Sequence, residues 1–534
     1  MRSHSITKTT TTSLIALSLL STPASAQSNN PIEGAASGRA PSESCDTESL
    51  QRMAPSGTTI SFAARESGGV CRVNGYVTNN DPGPNRVLFV LALPNRFNGR
   101  YLYLGVGGAA GQLPVIRPTL LAKGYAMAGS DAGTGAKTIS DFGFKSDPAR
   151  LMDFHWRGVR SSAIATQAIT RAYYARPTIH RYISGCSGGG QMGMSNAIRF
   201  GGENFDGFIS AATVWPGAAF KPNLYRIMAH MQTHPDGWLP PDLLKRAHAA
   251  IIARYDESDG AKDGIIHDAR NITAFDENIL RGVGFTAAQL ETFRMITTPR
   301  KWSGPGLYGD GLQAGWPVSD VAGWIQYLTG TTPPPWPSTA GRSTSAMAAS
   351  GVPFYHVMAD TNIRAQRPAL DYWRITDDAE LVNLATMGGT EVSTDSLDMS
   401  KIAASGAKFM IWHGTADEAN SYLDNLKGYQ AVLATTPTAA NWLRIFFVPG
   451  MQHCDGGNGP TDVVDPMVEA LASWVETGQP PSEVLAPRIV PGGDLSSGVD
   501  RVFKLCPEPK RAVLRSAGLD ARDAGNWECR APSG

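Results

Sequence analysis

A serine stands at the centre of a glycine-rich stretch, GCSGGG, at residues 185–190. Residues 181–184 before it are typical of the end of a buried strand, and residues 191–200 are compatible with a helix. A serine between glycines at a strand-to-helix turn is the nucleophile-elbow arrangement of hydrolases. The glycines are needed because larger side chains in so tight a turn would collide with the neighbouring strand and helix. Considered alone, the motif also fits an ordinary Gly-Ser loop.

A serine hydroxyl is a poor nucleophile unless a neighbouring base takes its proton. In folds that carry a nucleophile elbow, the partners follow in the order serine, acid, histidine, each after a strand. Asp417 and His453 each follow an apolar run that predicts a strand. We therefore expect Ser187 to be the nucleophile, Asp417 the orienting carboxylate and His453 the general base. His413 is a competing base, but it precedes Asp417 and lies too close to it in sequence.

Two cysteines flank the predicted nucleophile and base. Cys186 directly precedes Ser187, and Cys454 directly follows His453. If the serine and the histidine lie within hydrogen-bonding reach, their chain neighbours are also close. The two cysteines would then fall within the roughly 4.4–6.8 Å Cα separation that a disulfide allows. We predict a bond between them.

The surrounding elements predict an α/β fold, with strands and helices alternating around the elbow. A strand at residues 100–104 runs into the glycine-rich loop 105–111, which lacks the ending of a phosphate loop and is a candidate oxyanion loop. Such alternation is typical of a mostly parallel sheet covered by helices. Further predicted strands lie at 86–93, 124–131, 205–212, 408–412 and 443–448, and predicted helices at 157–174 and 463–477.

The chain of 534 residues is too long for one small core. Between about residues 214 and 396 the strand signals become sparse and Pro-rich, Trp-containing loops appear. We expect this segment to be a lid domain inserted into a core formed by residues 27–213 and 397–534. Trp324, Trp336, Arg342 and Phe354 could line an aromatic pocket there or belong to the lid's own core.

The N-terminus predicts export. A basic start, an apolar run at residues 14–20 and an Ala-Ser-Ala cleavage signal indicate a signal peptide at residues 1–26, so we expect a secreted or periplasmic protein. No stretch is long enough to span a membrane. The chain has 47 Lys and Arg residues and 47 Asp and Glu residues, so no net positive charge favours binding to nucleic acid. In an oxidising compartment six cysteines suggest disulfides, with fifteen possible pairings.

Taken together, these motifs resemble the tannase and feruloyl esterase family. The stretches that carry the resemblance are GCSGG at 185–189, HGTAD at 413–417 and VPGMQHC at 448–454. The resemblance extends from about Cys45 to the end of the chain. It implies an enzyme with an α/β-hydrolase core and a lid. Such an enzyme cleaves carboxylic esters, often of aromatic acids. It also implies oxyanion N–H groups from Gly108 and Gly188 and the disulfides Cys45–Cys71 and Cys506–Cys529.

The resemblance extends to a calcium loop in the lid, within the acidic stretch 256–265. Oxygen ligands suit calcium, and carboxylates that converge repel one another unless a cation neutralises them. Without the resemblance, the stretch would be a solvated Asp-Gly turn. Tyr255 stands where many relatives have a cysteine that braces the loop. The implied ligands are the side chains of Asp256, Asp259 and Asp263 and the carbonyl groups of Ala261 and Ile265.

Three functions remain open at this point. The first is a serine esterase for a small aromatic ester, whose substrate could be a hydroxycinnamoyl ester, a galloyl ester or a terephthalate monoester. The second is an exported binding protein on an inactive hydrolase scaffold. The third is a peptidase with the same triad. Calcium is the only cofactor expected, and no organic cofactor is predicted.

Overall fold

The computed structural model describes residues 45–304, 310–338, 350–386, 396–490 and 497–532, together with the backbone of the short strand Gly38–Arg39. The predicted signal peptide, residues 1–26, lies outside the described residues. Among the described residues, no helix is both long enough and apolar enough to cross a membrane.

A nine-stranded sheet forms the centre of the fold. Its strands are β1 (Thr58–Arg65), β2 (Cys71–Asn79), β3 (Asn85–Leu93), β4 (Arg100–Leu104), β5 (Ala126–Ser130), β6 (His180–Cys186), β7 (Gly207–Ala211), β8 (Lys408–Gly414) and β9 (Leu443–Val448). In space they run in the order β9-β8-β7-β6-β4-β5-β3-β2-β1. Strands β4 to β9 pair in parallel, whereas β1, β2 and β3 add an antiparallel edge. The sheet is therefore mostly parallel, as the sequence predicts.

Fourteen α-helices are present in the described part of the chain. They span Thr47–Met53, Pro118–Ala122, Pro148–Met152, Gly158–Tyr173, Gly188–Phe200, Phe220–Thr233, Pro241–Tyr255, Asn278–Gly282, Ala287–Thr297, Phe354–Gln366, Asp378–Thr386, Ser400–Ser405, Tyr422–Thr435 and Val464–Thr477. Both predicted helices are present. The helix predicted at 157–174 is one residue shorter at each end, and the helix predicted at 463–477 is one residue shorter at its N-terminus.

Both faces of the sheet are buried because its central strands are apolar on both sides. Successive residues of a strand point to opposite faces. Accordingly, Ile183 packs into one hydrophobic cluster and its neighbour Tyr182 into another. Helices Gly158–Tyr173 and Gly188–Phe200 cover the first face, and helix Val464–Thr477 covers the second. This layering leaves the carboxyl ends of the parallel strands free to carry loops.

The segment predicted to be a lid contributes no strand to the central sheet within its described residues, 214–304, 310–338 and 350–386. Its one strand pair, Arg300–Lys301 with Leu312–Gln313, is antiparallel and separate from the sheet. Its helices enclose a hydrophobic cluster of their own. The boundaries of a lid domain stay a prediction, because residues 37–534 pack as one unit.

The C-terminal residues add two antiparallel strand pairs that the sequence did not predict. Strand Val484–Ile489 pairs with Val499–Leu505, and Arg511–Leu514 pairs with Trp527–Arg530. Three disulfides are formed, Cys45–Cys71, Cys186–Cys454 and Cys506–Cys529. These are the three pairs that the sequence and the resemblance indicate. One further short strand, Arg96–Phe97, pairs with Gly38–Arg39.

Candidate active site

Ser187 lies in the sharp turn between β6 and helix Gly188–Phe200. Its backbone has φ 56° and ψ −122°, a region that residues other than glycine seldom adopt. The turn is held by the N–H of Ser187, which donates to the carbonyl of Ala211 at 2.9 Å, and by the N–H of Gln191, which donates to the carbonyl of Ser187 at 2.9 Å. This strained turn presents the serine above the end of the sheet, as in a nucleophile elbow.

Close backbone contacts explain the glycines on either side of the serine. A Cβ atom on Gly185 would lie 2.5 Å from the carbonyl carbon of Gly189. A Cβ atom on Gly189 would lie 2.6 Å from the carbonyl carbon of Gly105. Both separations are far below van der Waals contact, so any larger residue would push the helix away from β6 and from the neighbouring loop.

Asp417 and His453 form a hydrogen-bonded pair beside the elbow. The distance from His453 Nδ1 to Asp417 Oδ2 is 2.9 Å. The other carboxylate oxygen, Asp417 Oδ1, accepts the backbone N–H groups of Ala419 and Asn420 at 2.9 and 2.8 Å. Burial opposes ionisation of Asp417, but the imidazoles of His453 and His413 hold its pKa below the usual range. A fixed carboxylate of this kind can orient the imidazole of His453.

His413, the competing base, is fully buried, and both of its ring nitrogens have partners. Its Nδ1 accepts a hydrogen bond from the Asn425 amide at 2.9 Å. Its Nε2 lies 2.9 Å from Asp417 Oδ2 and 3.1 Å from the carbonyl oxygen of Asn420. With both nitrogens engaged, His413 has none left for a serine proton, and its contacts serve to hold the Asp417 carboxylate.

Glu418 is part of the site, although it is not among the site residues predicted from the sequence. Its Oε2 accepts the backbone N–H of His453 at 3.0 Å. Burial and the negative charge of Asp417 raise the pKa of Glu418 to about 9. The side chain is therefore neutral near pH 7, and it anchors the histidine loop without adding a second charge beside Asp417. Its position directly after Asp417 was the only sequence signal that could have identified it.

The disulfide Cys186–Cys454 joins the elbow to the histidine loop. The two Cα atoms are 5.8 Å apart. Because Ser187 and His453 are the direct chain neighbours of these cysteines, the bond holds both residues at one place above the sheet.

The glycine-rich loop after β4 lies against the elbow. A Cβ atom on Gly188 would lie 2.7 Å from the carbonyl oxygen of Gly108 and 3.0 Å from its nitrogen. Gly108 itself has φ 57°, which favours glycine. The next residue, Ala109, donates its N–H to the carbonyl of Ile139 at 2.7 Å, which fixes the loop. The two expected oxyanion residues, Gly108 and Gly188, are thus neighbours in space.

A cavity of about 420 Å³ opens above these residues and is lined by Ser187, His453, Gly108 and Gly188. The segment 214–386 contributes Phe354 to its wall, as one of the sequence alternatives proposed. Its aromatic lining residues are Phe142, Phe154, Phe220, Tyr225, Tyr327, Phe354 and Tyr355.

Of the other three residues that the sequence suggests for an aromatic pocket, two lie in the described part of the chain. Trp324 and Trp336 are 1% and 3% exposed and belong to the hydrophobic cluster of the lid segment, the other alternative that the sequence left open. Arg342 lies outside the described residues.

The acidic loop contains the residues of the expected calcium site. Asp256 Oδ1 accepts the backbone N–H groups of Gly264 at 2.9 Å and Ile265 at 3.1 Å. Asp259 Oδ1 accepts the N–H of Ala261 at 3.0 Å. The loop therefore folds back on itself around its own carboxylates.

The third carboxylate of the loop is engaged elsewhere. Asp263 Oδ2 lies 2.7 Å from a guanidinium nitrogen of Arg501 and 3.0 Å from His267 Nε2. The donor set, all oxygen, suits calcium chemically. Among the described residues, however, no group of three or more His, Cys, Asp or Glu side chains is arranged to hold a metal. Calcium would have to share the Asp263 carboxylate with Arg501, and the calcium site stays a prediction.

A mostly parallel sheet with an elbow serine after β6, an aspartate after β8 and a histidine after β9 defines an α/β-hydrolase. The model of the family described as "Tannase and feruloyl esterase" matches residues 71–530. The chain belongs to this family and is a carboxylic ester hydrolase.

Individual relatives support this assignment. A protein named "Probable feruloyl esterase B" from Aspergillus clavatus is 27% identical over 505 residues, covering 86% of this chain and 86% of the relative. The "Mono(2-hydroxyethyl) terephthalate hydrolase" of Piscinibacter sakaiensis is 27% identical over 526 residues, covering 86% of this chain and 85% of that protein.

Solved structures show the same fold. Feruloyl esterase B from Aspergillus oryzae superimposes with a TM-score of 0.75 at 22% identity, covering 91% of this chain and 99% of that structure. Tannin acyl hydrolase from Aspergillus niger superimposes with a TM-score of 0.68 at 19% identity, covering 93% of this chain and 97% of that structure. The predicted fold class, an α/β-hydrolase core with a mostly parallel sheet, is confirmed.

Proposed function

We propose that this protein is a serine esterase that hydrolyses esters of aromatic carboxylic acids through an acyl-enzyme. The observation that carries the proposal is one cavity lined by both Ser187 and His453, with His453 bonded to Asp417 at 2.9 Å. The disulfide between Cys186 and Cys454 supports it, because their Cα atoms are only 5.8 Å apart.

The proposed reaction uses each of these groups at a defined atom. Asp417 Oδ2 engages Nδ1 of His453, which leaves Nε2 to take the proton of the Ser187 hydroxyl. The Ser187 oxygen then attacks the ester carbonyl, and the N–H groups of Gly108 and Gly188 stabilise the resulting oxyanion. The intermediate expels the alcohol, which takes the proton from His453. Water, deprotonated by His453, releases the acid from Ser187 in a second round.

The lining of the cavity supports an aromatic substrate. Aromatic rings stack or meet edge to face at centroid distances of about 4.5–7 Å. The ring of Tyr327 packs edge to face against that of His453, with centroids 5.4 Å apart. An aromatic group of the substrate would therefore find an aromatic surface to pack against near the base. Tyr327 also meets the ring of Phe354 at 5.4 Å. The names of the feruloyl esterase and tannin acyl hydrolase relatives suggest hydroxycinnamoyl or galloyl esters as the first substrates to test.

A terephthalate monoester is the second candidate within the same class. The relative from Piscinibacter sakaiensis, which bears the name of such an activity, matches this chain as well as the feruloyl esterases do, at 27% identity.

We further propose export to an oxidising compartment, as the predicted signal peptide implies. Disulfides persist outside the cytosol and are rare within it. Three disulfides join all six cysteines, and no cysteine is free in the part of the chain that the structure describes.

One experiment tests the nucleophile and the reaction class together. A fluorophosphonate probe should label the wild-type protein on a peptide that contains Ser187, and the Ser187→Ala variant should stay unlabelled. Methyl ferulate, methyl gallate and monomethyl terephthalate should then be assayed side by side with the matching amides. We expect turnover of at least one ester and of none of the amides. Labelling of another residue, or faster cleavage of an amide, would overturn the proposal.

A further inference from the structure

Three basic side chains line the active-site cavity. Lys145, His155 and Lys221 all face the same space as Ser187. Each is partly buried and lines the cavity. They come from three separate elements, the 3₁₀ helix Phe142–Ser146, the π-helical turn Asp153–Arg157 and the helix Phe220–Thr233. The fold therefore brings together basic groups that are distant in sequence.

These basic groups act on one another, and among the described residues no carboxylate forms an ion pair with either lysine. Burial and the nearby charge of Lys221 lower the pKa of Lys145 to about 7. Burial, together with Lys145 and Lys221, lowers the pKa of His155 well below its usual value. Within the part of the chain that the structure describes, neither lysine forms an ion pair with a carboxylate. Asp455 also lines the cavity, but it follows Cys454 on the histidine loop and is not among the charges that act on these groups.

Basic groups that lie close together in a partly buried region are unfavourable when protonated, unless a negative charge binds beside them. Aromatic rings contact two of the three groups instead. The ammonium group of Lys145 lies 5.0 Å from the ring centroid of Phe142, and the ring of His155 meets that of Phe154 at 5.3 Å. The cluster is thus kept in the cavity wall, with its charge unpaired among the described residues, beside the nucleophile.

We propose that Lys145 and Lys221, with His155 beside them, bind a carboxylate carried by the ester substrate. The inference rests on the proposed esterase function and narrows its substrate class to aromatic esters with an anionic group remote from the scissile bond. The cavity, about 420 Å³, has room for one aromatic ring with two substituents. One substituent would be the ester at Ser187 and the other the carboxylate at the lysines.

The carboxylate could belong to the acid or to the alcohol part of the ester, and matched pairs of substrates distinguish the two. The first pair is monomethyl terephthalate against dimethyl terephthalate, which differ by one charge on the acid side. The second pair is benzoyl glycolate against its methyl ester, which differ by one charge on the alcohol side. A hydrogen bond between two charged groups favours the anion by about tenfold to a hundredfold. We expect wild-type kcat/KM to favour the anion by that factor in at least one pair.

Variants assign the preference to the cluster. Lys145→Met and Lys221→Met keep much of the side-chain volume and remove the charge. Each should reduce the preference for the anion by about tenfold, mainly through a higher KM for the anionic ester. The matched control is Lys245→Met, an exposed lysine on helix Pro241–Tyr255 that does not line the cavity. It should leave the preference unchanged. Equal wild-type rates for both members of both pairs would overturn the inference, although the esterase function would stand.

A binding measurement separates this inference from the catalytic proposal. Calorimetry on the Ser187→Ala protein measures the affinity for the same ester pairs without hydrolysis. We expect the anionic ester to bind at least tenfold more tightly than the neutral one. The additional Lys221→Met substitution should abolish that difference. If Ser187→Ala binds both members of both pairs equally, the cluster is not an anion site. If wild-type protein hydrolyses none of the esters yet Ser187→Ala prefers the anion, the anion site stands and the proposed function fails.

Discussion

At the scale of single residues, Ser187 is the most direct test of the chemistry. Ser187→Ala removes the oxygen that we propose forms the acyl-enzyme, so kcat for a methyl ester should fall by roughly 10⁴–10⁶-fold. What remains comes from the oxyanion hole and from substrate binding. The control is Ser473→Ala, an exposed serine on helix Val464–Thr477, which should retain full activity. Near-native turnover by Ser187→Ala would show that another group is the nucleophile.

Glu418 links the site to the pH dependence of stability. Burial and Asp417 raise the folded-state pKa of Glu418 from 4.5 to about 9. A group with a raised pKa contributes stability that is complete below its unfolded-state pKa and is lost progressively as the pH rises through the folded-state value. As the pH rises from about 5 to 9, the free energy of unfolding of the wild type should therefore fall relative to that of Glu418→Gln, whose side chain stays neutral.

Urea unfolding at about pH 5, 7 and 9 measures this difference. The difference between Glu418→Gln and wild type should grow over the range and level off above the folded-state pKa of about 9. Glu291→Gln, at an exposed carboxyl, is the control and should follow the wild type. Parallel curves for Glu418→Gln and wild type would contradict the raised pKa.

The sequence could reveal the residues of the predicted triad but not their surroundings. Ser187, Asp417 and His453 stand in local motifs, each directly after a predicted strand, and short motifs of this kind are visible in one chain. Glu418 gives no such signal, because its neutral state depends on burial beside Asp417. The cluster of Lys145, His155 and Lys221 gives none either, since three separate elements meet only in the folded protein.

At the scale of elements, the disulfide Cys186–Cys454 connects the two loops that carry the nucleophile and the base. Misplacement of a reacting group by about 1 Å can cost around 100-fold in rate. Replacement of both cysteines by serine should therefore lower kcat strongly even in protein that remains folded. The double variant is the cleaner test, because a single replacement leaves a free thiol beside Ser187.

The pair Cys506–Cys529 provides a matched control. Its double serine variant removes a disulfide whose cysteines do not line the cavity. Both double variants should lose stability, by about 3 kcal/mol for a loop of 23 residues and ~5 kcal/mol for one of 268. Only the Cys186/Cys454 variant should also lose kcat. Equal kcat losses in the two variants, measured well below their melting temperatures, would refute the positioning role.

The parallel part of the fold could be predicted because its strands are continuous apolar runs buried on both faces. Strands β4 to β9 were all predicted from the sequence, with ends that differ from the observed ones by at most two residues. In the antiparallel edge, β3 was predicted, but β1 and β2 were missed because they are buried on one face only, so their apolar content is low. The lid helices were missed because proline-rich loops between them hide the helical periodicity.

At the scale of the whole molecule, the acidic loop connects the lid segment to the C-terminal strands. Asp263 pairs with Arg501, and the ring of His267 stacks on Trp527 with centroids 4.8 Å apart. Arg270 pairs with Glu508 at 2.6 Å. In each of these contacts the two partners are far apart in sequence. Loss of the contacts would weaken the attachment of the C-terminal strands to the lid segment.

Calcium in this loop should therefore affect the stability of the whole fold more than the chemistry. A cation bound only to the folded state stabilises it by about 2.7 kcal/mol at 100 times its Kd. Chelation should lower the melting temperature, added calcium should restore it, and kcat well below the transition should stay unchanged. Asp256→Asn keeps an acceptor for the loop N–H groups but removes a ligand charge, so its melting temperature should no longer respond to calcium. Asp242→Asn, an exposed aspartate on the preceding helix, should respond like the wild type. A wild-type melting temperature that responds to neither chelator nor calcium, with no metal found by elemental analysis, would rule out calcium in this loop.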